Sequence, residues 1–122
     1  MLEKNTFIRI HRALMGDKLM YQAYKLFFGT LTSHSRLRII NLLRKSPKNV
    51  SQIQSQLKLE RTNLSHDLQR LKKCGFVNVE KQGKFRDYSL NEETIEPLMV
   101  IIDKHMGKYC KNVVEKNINK KR

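Results

Sequence analysis

Residues 50–90, VSQIQSQLKLERTNLSHDLQRLKKCGFVNVEKQGKFRDYSL, decide the fold. In the first eight, Val50, Ile53 and Leu57 recur at offsets of three and four, the spacing of one helix face. Lys58, Leu59 and Glu60 then form a turn. From Arg61 to Lys73, the residues Leu64, Leu68 and Leu71 mark a buried stripe, which leaves Arg61, Thr62, Ser65, His66, Gln69, Arg70 and Lys73 to face outward. Gly75 stops this helix in a left-handed cap, where a residue without a Cβ is favoured. Beyond it the period changes to two: Val77 and Val79 share one face, as do Tyr88 and Leu90, with Gln82, Gly83 and Lys84 as the turn. Two short helices across a tight turn, the second basic on its open face, followed at once by a hairpin with a basic tip, describe a winged helix-turn-helix. In such a unit the second helix enters the major groove of double-stranded DNA and the wing meets backbone or minor groove.

Working outward, SRLRIINLLRK (35–45) reads as a helix with Leu37, Ile40 and Leu43 on one face and Ile39 beside them, capped by Ser33 or Ser35 and broken by Pro47 and Asn49. Before it, Phe7, Ile8, Ile10 and Leu14 form a first apolar pattern, and Asp17 caps a stronger run, KLMYQAYKLFFGTL, ending near Leu31. The helical spacing of Tyr21, Tyr24, Phe27 and Phe28 predicts packing residues and not a platform for stacked bases. At the other end Ile95, Leu98, Met99, Ile102, Met106, Tyr109, Cys110 and Val113 recur every three or four residues, and Pro97 is tolerated because it lies in the first turn. That stripe exceeds the needs of one small core. It predicts pairing of the C-terminal helix with a second copy of the chain and with the N-terminal helix.

The expected architecture is therefore mainly α with a small β-hairpin: one winged-helix domain over residues 1–122, with the helix-turn-helix at about 50–74, the wing at about 76–90 and a long helix at about 92–116. A chain of 122 residues supports one modest core and leaves little room for a catalytic cleft. The scattered acids Asp67, Asp87 and Asp103 form no nucleophile, base and orienter set, so an enzyme is not expected. Lysine and arginine number 25 against 11 acids, a net charge of +14, which favours a polyanionic partner. The excess is +8 over residues 1–60, +4 over 61–90 and +2 over 91–122, so it is not a basic tail. No apolar run approaches the roughly 18 to 20 residues that span a bilayer, and two cysteines make a poor disulfide framework. No membrane partner is expected, and the expected location is the reducing cytoplasm.

From Phe28 to Leu90 the chain resembles the ArsR family of winged-helix transcriptional regulators. FGTLTSHSRLRII (28–40) is similar to the family's entry into its second helix, LKLERTNLSHDLQRLKKCGFV (57–77) to its recognition segment, and KQGKFRDYSL (81–90) to its wing. The resemblance implies that Arg61, Thr62, Ser65 and His66 reach base edges or nearby phosphates, with Gln69 and Arg70 farther along the face. Lys81, Lys84 and Arg86 are the wing's expected phosphate contacts. Arginine suits guanine O6 and N7 because its fork is bidentate, which makes Arg61 the first candidate for specificity. In metal-sensing relatives, cysteines near the third helix bind thiophilic metals, but Asn49 and Ser51 stand at the matching positions. Asp103 and His105 match half of a second family site, whereas Lys116 and Asn119 occupy the other half, and a lysine ammonium offers no lone pair to a cation. No metal and no cofactor are expected. Cys74 and Cys110, near Lys72, Lys73, Lys108 and Lys111, are candidates for a thiol switch, against the plainer reading of small buried hydrophobes.

The expected function is a homodimeric, sequence-specific regulator, a repressor bound to a pseudo-palindromic DNA site, with no effector identified. The alternative is a protein-interaction module on a winged helix that binds DNA only weakly and without preference.

Overall fold

A computed structural model describes residues 2–120. The chain runs α1 (Leu2–Leu31), α2 (His34–Leu43), β1 (Lys48–Asn49), α3 (Val50–Leu57), α4 (Arg61–Lys73), β2 (Val77–Gln82), β3 (Phe85–Leu90), α5 (Ile95–His105), a π-helical turn (Met106–Cys110) and α6 (Lys111–Lys120). Within α1 the backbone leaves helical geometry at Gly16, with φ 71° and ψ 158°, a region essentially restricted to glycine. The helix thus breaks just before Asp17, where the stronger run begins. The side chains of Phe7, Ile8 and Leu14 lie outside the described residues.

The starts of α2, α3 and α4 each have a local cause. Ser33 Oγ accepts the Arg36 amide at 3.3 Å and caps α2. Asn49 and Gln52 form a reciprocal capping box on α3, both bonds at 2.9 Å. Lys58 closes α3 in the left-handed region at φ 54°, and Glu60 caps α4. Between β3 and α5, Asn91 Oδ1 accepts the amides of Glu93 and Thr94 while its Nδ2 donates to the Gly75 carbonyl, which ties this turn to the end of α4.

The sheet has three antiparallel strands in the order β1-β3-β2. The hairpin register pairs Val77 with Leu90, Val79 with Tyr88, Lys81 with Arg86 and Gln82 with Phe85. Gly83 carries the turn at φ 61°. The strand Lys48–Asn49 was not expected: it pairs with Tyr88 and Asp87, a contact between segments some forty residues apart that no local period announces.

Ile39, Ile40 and Leu43 of α2, Ile53 of α3, Leu64, Leu68 and Leu71 of α4, Phe76 and Val77, Leu90, and Ile95 and Met99 of α5 form one core. Phe27 of α1 stacks on Phe76 with ring centroids 5.2 Å apart. The other three aromatics expected to pack meet one another and Phe27 along α1 but are not part of this core. Tyr21, Tyr24 and Phe28 are exposed, Tyr21 at 68%, because their side of α1 faces away from the body. The C-terminal helix is not one continuous α-helix. It begins at Ile95, is interrupted by the π-helical turn and continues to Lys120, and from Met106 onward none of its residues is buried.

Candidate nucleic-acid interface

The leucines of α4 fix which of its side chains are free. With Leu64, Leu68 and Leu71 buried, Thr62, Ser65, His66 and Gln69 are exposed on the opposite side, and Arg61 stands at the first turn. Across from them lies the wing. Arg61 and Ser65 line a cleft of about 450 Å³ together with Lys84, Phe85, Arg86 and Tyr88 of the hairpin and with Asn49, Val50 and Ser51 at the start of α3. Four of the residues expected from sequence, Arg61, Ser65, Lys84 and Arg86, are therefore brought into one space. Asn49, Ser51, Phe85 and Tyr88 were missed as its walls. Asn49 and Tyr88 meet there only because β1 pairs with β3.

The hairpin sorts its charges by face. Directly opposed residues of an antiparallel pair project to the same side, and alternate residues share a face. Lys81 and Arg86 thus accompany Val77, Val79, Tyr88 and Leu90 on the side turned toward the helices, while the opposed acids Glu80 and Asp87 project from the other side. The cleft receives three cationic side chains and no carboxylate. Lys81 is exposed on the wing outside this cleft, and Phe85, at 57% exposure, puts an apolar ring at the wing tip.

At the head of α4, Glu60 Oε1 and Oε2 accept the amides of Thr62 and Asn63, each at 2.9 Å. Those two amide bonds hold the Glu60 carboxyl below its ordinary pKa. A carboxylate already sits where a phosphate would otherwise bind the helix N-terminus, so anion recognition here falls to side chains.

One expected contact residue is placed differently from expectation. Arg70 is not on the outer face of α4: nine residues at about 100° each put it half a turn from Arg61, and its Nε donates to Thr30 Oγ1 at 3.0 Å. Asp67 likewise turns inward. Its carboxylate accepts Ser35 Oγ at 2.6 Å and pairs with Arg36 Nη1 at 3.2 Å, with 13% of the side chain exposed. It therefore does not offset the charge of the outer face. Sequence reading gave Arg36 no role, although it also donates to the carbonyls of Gly29 and Thr30 and so caps the end of α1.

The remaining candidates are dispersed. Asp103 pairs with Arg44 at 2.7 Å and the His105 ring lies 4.7 Å from that of Tyr109, with no group of three metal-ligating side chains among the described residues. Cys74 is half-buried at the end of α4, and Cys110 is exposed, in contrast to its expected place on a buried stripe. Cys110 lines an apolar groove with Met106 and Val114. No helix among the described residues is long and apolar enough to cross a membrane.

Comparison with known proteins agrees with this geometry. Residues 33–79 match the family of bacterial regulatory proteins described as arsR. An uncharacterized HTH-type transcriptional regulator of Mycobacterium tuberculosis, Rv0081, is 30% identical over 95 residues, covering 77% of this chain and 83% of the relative. The crystal structure of Rv0081 superposes with a TM-score of 0.72 at 29% identity, covering 78% of this chain and 96% of that one. The homodimeric winged helix-turn-helix DNA-binding domain of Mb0332 from Mycobacterium bovis shares the fold, with a TM-score of 0.71 at 21% identity, covering 77% and 87%.

Proposed function

Because the chain belongs to the ArsR family of winged helix-turn-helix DNA-binding regulators, we propose that it acts as a homodimeric repressor on a pseudo-palindromic operator. The observation that carries this reading is the convergence of Arg61 and Ser65 with Lys84 and Arg86 on one cleft free of carboxylates. In this reading α4 lies in the major groove, Arg61 forks onto a guanine, and Thr62, Ser65, His66 and Gln69 follow the base edges or adjacent phosphates. Lys81, Lys84 and Arg86 hold the backbone beside the groove and fix the register without reading sequence. No catalytic group is required, since a bound dimer blocks access to the DNA it covers.

A second copy is favoured by the apolar surface left uncovered. Leu19, Tyr21, Tyr24 and Phe28 on α1, with Ile101 and Val113 on the C-terminal helices, are all exposed in the single chain. Tyr21, Tyr24 and Phe28 share one face of α1 by their spacing of three and four, and an exposed apolar face of this kind commonly marks an interaction surface. Pairing across them sets two copies of α4 side by side, and a separation of about 34–36 Å would match one turn of DNA.

Selection from a randomised duplex pool tests the proposal. The expected product is a two-fold motif with half-sites about one turn apart. Uniform, sequence-independent binding together with a stable complex with another protein would overturn it in favour of an interaction module.

A further inference from the structure

The inner side of α4 is bound to α1 and α2 by a polar junction that the DNA-facing surface does not need. Asp67 takes bonds from Ser35 and Arg36, and Arg36 passes on to the carbonyls of Gly29 and Thr30 at 3.2 and 2.9 Å. One turn farther along α4, Arg70 Nε donates to Thr30 Oγ1 at 3.0 Å. That hydroxyl donates in turn to the Leu26 carbonyl at 2.7 Å and lies 3.6 Å from Cys74 Sγ. Thr30 is 0% exposed, the one buried polar residue among those described. Its backbone oxygen serves Arg36 and its side-chain oxygen serves Arg70. A single residue of α1 thus holds both arginines, one from α2 and one from α4.

The location of this residue gives the junction a consequence. Thr30 lies within two turns of Tyr24 and Phe28, on the helix whose outer face is left uncovered. The backbone of α4 packs on α2 and β2 and reaches α1 chiefly through side chains. Apolar ridges between helices tolerate a range of crossing angles, whereas directional hydrogen bonds made without water fix the roll of a helix about its axis.

We propose that Thr30 and Arg70 are positioning residues that tie the roll of α4 to α1, and through it to the second copy, so that they set the spacing between the two recognition helices without touching DNA. The inference rests on the two-copy reading above and goes beyond it by moving Arg70 from the DNA-contacting set to the spacing set.

The test uses the full chain with Thr30→Val, which keeps volume and deletes the hydroxyl, Thr30→Ser, which keeps the hydroxyl, and Arg70→Lys, which keeps the charge and loses the Nε donor. Binding is measured to a single half-site and to paired half-sites whose spacer is changed one base pair at a time. Each step rotates one half-site by about 35°. Thr30→Val and Arg70→Lys are expected to bind the single half-site within about twofold of wild type while their preference for the best spacer over its neighbours falls roughly tenfold. Thr30→Ser is expected to keep that preference. Retained spacer preference in both Thr30→Val and Arg70→Lys would overturn the inference, as would a parallel loss on single and paired sites, which is the signature of a DNA contact or general destabilisation. If Thr30→Val melts below the assay temperature, Arg70→Lys carries the same comparison alone. Absence of any spacer preference in wild type would instead defeat the two-copy reading itself.

Discussion

Arg61 and Arg70 carry the same charge on the same helix, and the helical rotation of about 100° per residue sends them to opposite sides of it. Arg61 enters the cleft beside Lys84 and Arg86, whereas Arg70 ends on a buried threonine. The outward position of Ser65 and Gln69 was legible from the leucine stripe alone. The fate of Arg70 was not, because a long side chain at the edge of a helix face goes to whichever polar group lies near, and Thr30 is forty residues away in sequence. Arg61 and Lys84, though neighbours, predict different behaviour. Arg61→Ala is expected to cost about 1–3 kcal/mol and to relax preference at one base position. Lys84→Ala is expected to weaken all sequences evenly and to lower the slope of log affinity against log salt by about 1. Titrations of matched and mismatched duplexes at several salt concentrations separate the two.

Among the elements, α4 depends most on its ends. Glutamate is an uncommon N-cap, yet Glu60 holds two amides of the first turn. Its folded pKa lies below its unfolded one, so its stabilising contribution is complete above the ordinary glutamate value and is lost as pH falls through the lowered value. Thermal melts between about pH 6 and about pH 2 are expected to show a shallower acid decline for Glu60→Gln than for wild type, with the two curves converging at the acid end. The C-terminal segment shows a different control by sequence. Leu98, Ile102, Met106, Cys110, Val114 and Ile118 recur at a strict spacing of four. In an ideal α-helix each such step drifts by about 40° around the axis. The π-helical turn at Met106–Cys110 falls within this run, and Met106, Cys110 and Val114 line one groove. The apolar recurrence of this segment was readable, and the interruption was not, because apolar spacing reports a shared face and not the hydrogen-bond pattern beneath it.

At the scale of the whole molecule, charge and apolar surface are separated. The excess of +4 over residues 61–90 is sharpened by folding, since Asp67 turns inward and Glu80 and Asp87 project from the far side of the wing. Apart from Phe85 at the wing tip, the uncovered large apolar side chains among the described residues lie instead on α1 and on the helices after residue 95. Placing a carboxylate there should oppose association without touching the cleft, because an unpaired charge is costly to bury. Phe28→Glu combined with Ile101→Glu is expected to shift the chain to a monomer in sedimentation velocity and to weaken paired half-sites at least tenfold more than single ones. Failure to change either reading would remove these faces from the dimer contact. The sequence by itself determined the helix-turn-helix, the wing, the leucines beneath the recognition face and the positions of Arg61, Lys84 and Arg86, because spacing within one element dictates which side chains share a face. Only the tertiary structure decided the third strand, the walls of the cleft, the inward turn of Asp67 and Arg70 and the exposure of Tyr21, Tyr24 and Phe28. Those depend on which elements meet, and distant segments meet through the packing of a common core and not through any local period.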